Sequence, residues 1–139
     1  MVGPAGERWV PVHGLLPHGR LIEAWQRIQQ LFSPRHADMD QLGVGAGAMF
    51  AAVSPSACLI EPVFYRPDEL ETLHRRTVEP EHLERLTRFA ANEESRVLVK
   101  ELRAGVIRVF RELQATHLQI AIASTDQSIE EVRQRLLES

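Results

Sequence analysis

The sequence predicts an α+β fold: a four-stranded antiparallel sheet with helices on one face, plus a C-terminal helix. Three observations predict it. Four short segments are rich in β-branched and aromatic residues and either alternate or run apolar. Two longer segments repeat apolar residues at helical spacing. The two kinds of segment follow one another as βαββαβ.

The first strand is read from Glu7 to Gly14, a short β-branched and aromatic run ending at glycine. Leu21, Trp25, Ile28 and Phe32 then make one apolar stripe of a helix. Pro34 disfavours an α conformation at Ser33 and so ends that helix, while Ser33 caps a short continuation to about Leu42, with Gly43 as its stop. Two extended runs, Ala46 to Val53 and Ala57 to Tyr65, are joined as a hairpin by Ser54-Pro55-Ser56. Asp68 and Glu71 form a capping box for a helix to about Arg76. Glu79-Pro80 opens a helical stretch carrying Leu83, Leu86 and Ala90. A longer helix follows, with Leu98, Leu102, Val106, Val109, Phe110 and Leu113 on one face. Gly105 inside it costs about 1 kcal/mol relative to alanine, which implies close packing there. Thr116 to Ala123 alternates as a half-buried strand, and Ser128 with Glu131 caps a terminal helix.

This order is the split-βαβ, ferredoxin-like pattern, with the first and third strands central and a long second crossover. It carries one local conflict. Pro11 and Pro62 fall in the two central strands, where each lacks a ladder donor. The expectation is a bulge, or a short ladder with each proline at its edge.

The chain has 139 residues, 44% hydrophobic and 25% charged, the balance of one globular domain. No apolar run approaches the ~18 residues of a membrane helix, and Met1 to Arg8 lacks the apolar stretch of a secretion signal. No membrane association and a cytoplasmic location are expected. The lone Cys58 excludes an internal disulfide framework. Sixteen basic residues, scattered and nearly all Arg, against nineteen acidic ones argue against nucleic acid as a partner.

Side-chain alternation assigns the sheet faces. Val10, Val12, Leu118, Ile120 and Ile122 are expected to face the helices, as is the parity of Cys58, Ile60, Pro62 and Phe64. Burying Glu61 beneath the helices without a partner would be costly, so its parity belongs on the other face. That face then carries Trp9, His13, Leu59, Glu61, Val63, Tyr65, His117 and Gln119. Aromatics and aliphatics mixed with acid, imidazole and amide suit a covered site or an interface; a solvated sheet would show Lys, Thr and Ser.

Three stretches together, Arg8 to Pro17, Gly47-Ala48-Met49-Phe50 and Ser54 to Tyr65, resemble the C-terminal domain of FAD-linked oxidases of the vanillyl-alcohol oxidase and 4-cresol dehydrogenase type. The resemblance covers about residues 5 to 121. It implies a cap domain over residues 1–123, built on a ferredoxin-like sheet that covers the flavin and forms the substrate pocket, with 124–139 a divergent C-terminal helix of the same domain. It implies FAD, bound mainly by a missing FAD-binding domain supplied in cis or in trans, and a small-molecule substrate. The chain departs from the family pattern after Ile120, where Ala121 to Asp126 takes another course. At His18-Gly19-Arg20 only Arg20 matches.

Oxidation at a flavin needs a group to take the substrate's hydroxyl proton and groups to hold the incipient anion. His13, Glu61 and Tyr65 are the catalytic candidates. Trp9, Arg20, His117 and Gln119 are the substrate- or flavin-facing ones, with Arg20 as an anion clamp beyond the first strand. For each, the competing reading is an interfacial hydrogen-bonding residue. No metal is expected, because His36, Asp38 and Asp40 spread around a helix. The glycine run Gly43 to Gly47 leads from a helix into a strand, the reverse of a dinucleotide turn. Cys58 reads as a small buried hydrophobe. The alternative function is a ferredoxin-like dimeric ligand-binding or regulatory module without catalysis.

Overall fold

Four residues, Val53 to Ser56, turn the chain between β2 (Gly45–Ala52) and β3 (Ala57–Arg66), one more than the serine-proline link alone predicts. The Val53 and Ser54 amides donate to the Ala57 carbonyl at 3.0 and 3.1 Å, and Ser54 Oγ accepts from the Ala57 amide at 3.1 Å. The structure, a computed structural model, describes residues 7–69, 76, 79–83, 90–115 and 117–120. Besides the hairpin it contains β1 (Arg8–Pro17), α1 (Leu21–Phe32), α2 (His36–Leu42), α3 (Pro80–Leu83), α4 (Glu93–Glu112) and the ladder segment β4 (His117–Ile120). The fold is α+β with an antiparallel sheet: β3 pairs with β2 on one side and β1 on the other, and the β4 backbone runs antiparallel along the far side of β1. Among the described residues no helix is long and apolar enough to cross a membrane.

The proline expectation is corrected at Pro62. It lies well inside β3, and the β1–β3 register is the same before and after it, so no residue is inserted. The ladder is simply interrupted between the Pro11–Val63 and Gly14–Ile60 pairs. Its cause is geometric. Hydrogen-bonded and non-bonded pairs alternate along an antiparallel ladder. With the Val53 amide on Ala57, Pro62 is turned toward β1, and its missing N–H removes a bond on that side alone. The β2–β3 ladder runs through Pro62 unbroken. Pro11 is turned toward β4, one residue past the last described pair, Val12–Ile120.

The helical layer follows from the apolar stripes. Ala24, Ile28 and Phe32 of α1 and Leu98, Leu102, Val106, Val109 and Phe110 of α4 pack with Val10, Val12, Leu16, Ile60 and Phe64 in one core. Phe32 meets Phe64 edge-on, with ring centroids 5.4 Å apart. Close packing at Gly105 is real: a Cβ there would stand 3.1 Å from Leu31 Cδ1. Arg27 of α1 also pairs with Glu112 of α4.

Several helix ends differ from expectation. Ser33 keeps right-handed helical angles (φ −50°, ψ −48°) despite Pro34 and makes no capping hydrogen bond. The chain tightens into a 3₁₀ turn over Ser33–Arg35, where a missing donor costs one bond and the helical path continues into α2. Gly43 is the expected stop, at φ 69°, with the Val44 amide returning to the Met39 carbonyl at 2.8 Å. Ala90 is neither helical nor buried. The capping of α4 by Asn92, whose Oδ1 accepts the Ser95 amide at 2.7 Å, is absent from the sequence reading. The helix expected after Asp68, Leu86, the outer parts of the last strand and the terminal helix from Ser128 all lie outside the described residues.

Candidate functional site

Strand parity and ladder register build one chemically mixed surface. Val10, Gly14 and Leu16 pair with Phe64, Ile60 and Cys58 on the side that meets the helices. Trp9, Pro11, His13 and Leu15 therefore point the other way, beside Tyr65, Val63, Glu61 and Leu59. β2 adds Gly45, Gly47 and Met49, opposite Tyr65, Val63 and Glu61. The sequence places Trp9, His13, Glu61 and Tyr65 on this face, and the structure brings them there. The face is less open than alternation implies. Glu61 is only 6% exposed and Val63 is buried, while Trp9, His13, Leu59 and Tyr65 are half-buried.

At the centre His13 Nε2 lies 2.8 Å from Glu61 Oε2. The two residues sit across from each other where the β1–β3 ladder is interrupted. A buried carboxylate needs a partner, and the imidazole lies close enough to be one. In the tautomer with the proton on Nε2, beside Glu61, Nδ1 is a bare acceptor. That nitrogen is buried and has no hydrogen-bond partner among the described residues. An unmet buried polar atom costs about 1–3 kcal/mol, so this pair is set up to accept a further proton donor.

Trp9 and Tyr65 form the next polar-aromatic pair along the same strands. They lie four positions along from His13 and Glu61, about 13 Å of extended backbone, with Pro11 and Val63 between. Tyr65 is thus on the same face but is not part of the imidazole–carboxylate pair. Arg20 lies elsewhere. It closes the turn from β1 into the helical layer, exposed, and pairs with Glu23 at 2.8 Å. By backbone register Gln119 stands across from His13, and His117 across from Leu15.

Two features escaped the sequence reading. Met49 is opposite Glu61 and 48% exposed, which hairpin register together with alternation could have revealed. Asp68, read as a helix cap, also accepts a hydrogen bond from Arg8 at 2.8 Å and forms ion pairs with Arg66 at 3.3 Å and Arg96 at 3.6 Å. Burial raises its carboxyl pKa, but the Arg66 and Arg8 charges outweigh that and hold it below its ordinary value. No local spacing signals this cluster, because its arginines come from three separate elements. Cys58 is buried on the helical side, and that burial pushes its thiol pKa up, so it is not set up as a nucleophile.

Comparisons with family models, with curated proteins and with solved structures return no match.

Proposed function

We propose that this chain is the cap, or substrate-binding, part of an FAD-dependent oxidoreductase that oxidises an alcohol, hydroxy acid or phenol-type substrate in the cytoplasm. It works against an FAD-binding domain supplied in cis or in trans. On this reading the sheet, ordered β2-β3-β1-β4, is the four-stranded ferredoxin-like sheet of such a cap. The observation that carries the proposal is the His13–Glu61 pair, 2.8 Å apart, on the sheet face opposite α1 and α4 and in line with Trp9 and Tyr65.

The residues present fit one side of such a cofactor. The half-buried aromatic rings and the side-chain-free stretch at Gly45 and Gly47 suit a planar ring, and the orphaned His13 Nδ1 suits a donor on a bound molecule. The pyrophosphate is left to the other domain, since the glycine run leads from α2 into β2 and opens no helix. The flavin, when bound, supplies the hydride acceptor. Glu61 holds the proton on His13 Nε2, which leaves Nδ1 to take the substrate's hydroxyl proton, and its carboxylate then stabilises the imidazolium. Trp9 and Tyr65 grip the remote end of the bound molecules.

Riboflavin, which carries the ring without the pyrophosphate, tests this directly. Titrated with the purified chain, its fluorescence falls saturably, and Trp9→Leu and His13→Ala each weaken the effect roughly tenfold or more while far-UV circular dichroism is unchanged. No quenching by the wild type, or quenching equal in both variants, overturns the proposal.

A further inference from the structure

The second sheet edge has a use that the cap reading does not touch. Among the described residues β2 pairs only with β3, so its other side carries unpaired backbone groups. The Val53–Ala57 hydrogen bond sets the alternation: the N–H and C=O groups of Ala46, Ala48, Phe50 and Ala52 point outward. Natural edges are usually blunted by lysine, proline, a bulge or a short strand. This one has none of those. It is eight residues long, unbroken in register, and exposes Met49 and Phe50 by 48% and 46%.

Charge decides what such an edge can accept. From Gln41 to Ile60 the sequence contains no charged residue, in a chain that is 25% charged. The groove beside the edge, about 790 Å³, continues this pattern with Trp25, Gln26, Gln29 and Gln30 from α1 and His36 beyond it. A two-fold axis sets the same stretch of chain against itself, so an edge of one charge sign repels itself and a neutral one does not. An oppositely charged partner would find nothing here to recognise.

We infer that β2 is a homodimer interface, in which the edges of two chains pair antiparallel about a two-fold axis at Met49. This register joins Ala46 to Ala52 of the partner subunit and Ala48 to Phe50 of the partner subunit. It uses every outward-pointing backbone group of the strand and merges the two sheets into one. Edge pairing adds nothing over the outer face with His13 and Glu61, so the inference stands or falls independently of the proposed activity.

Sedimentation velocity on the purified chain tests it. The wild type is a dimer at about 100 µM, where an interface of ordinary strength is saturated. Ala48→Pro removes an outward N–H without breaking a bond to β3, and Met49→Lys puts like charges on the axis. Each weakens dimerisation roughly tenfold or more with unchanged circular dichroism. Should one variant misfold, the other still decides. A monomeric wild type at that concentration, or a dimer that a folded variant leaves unweakened, overturns the inference.

Discussion

Gly14 shows how one missing side chain sets the geometry of two layers. A Cβ at this position would lie 2.8 to 2.9 Å from three atoms of the Phe110 ring, closer than real carbon contacts allow. The ring therefore lies flat on β1 only because residue 14 has no side chain. Gly14→Ala forces either the ring or the strand to move, at a cost of about 1–3 kcal/mol. In a double-mutant cycle with Phe110→Leu the two losses are strongly non-additive, because the smaller side chain leaves room for the new methyl. Additive losses by denaturant unfolding would mean that the strand itself is strained. The neighbour His13 is governed by the same strand but by a different force. Its contact with Glu61 arises where the ladder is interrupted, so the side chains there supply a cross-strand link at a position poor in backbone bonds.

At the scale of elements, the clearest local device is the start of α4. Asn92 has extended angles and accepts the Ser95 amide, while Ser95 Oγ donates back to the Asn92 carbonyl at 2.9 Å. Glu93 and Glu94 follow in the first turn, where negative charge favours the helix dipole. Asn92→Ala lowers unfolding free energy by about 1 kcal/mol and Asn92→Asp leaves it nearly unchanged; equal losses in chemical denaturation would contradict the capping role. An asparagine followed by two acids before an apolar stripe is a readable signal, so this cap is legible in the sequence. The apolar stripes of α1 and α4 and the facing of β1 and β3 were equally legible, because helix and strand periods translate directly into buried faces. Ser33 was not, since the bias that Pro34 imposes on it yields to the helical path on either side. The register that puts Met49 against Glu61 is contained in the hairpin turn and strand alternation together. The pairing of His13 with Glu61 needed the β1–β3 register, which only the folded sheet supplies.

Across the whole molecule, Asp68 ties together what lies far apart in sequence. Its carboxylate joins Arg8 of β1, Arg66 at the end of β3 and Arg96 of α4, and Arg66 is 1% exposed. Sequence patterns carry little trace of such a cluster, because a charge pair sixty residues apart has no period. Its consequence is a pH dependence whose sign is set by the carboxyl. The folded-state pKa is lowered: desolvation raises it, and the guanidinium charges of Arg66 and Arg8 more than offset that. A group depressed on folding contributes stability above its unfolded value of about 3.9, and that contribution drains away as pH falls through this value toward the folded pKa. Wild-type stability is therefore expected to fall below about pH 4, partly through this one carboxyl. Asp68→Asn keeps the shape and removes the charge, which weakens the electrostatic hold on the buried Arg66 and lowers stability near pH 7. The variant's deficit relative to wild type then shrinks as both are acidified, because protonation removes from the wild type what the substitution has already removed. Urea unfolding of both proteins from pH 7 down to pH 3 measures it. A deficit that stays constant over that range would mean that the substitution acts through altered hydrogen bonding and that the arginines around residue 68 draw no stability from the carboxylate's charge.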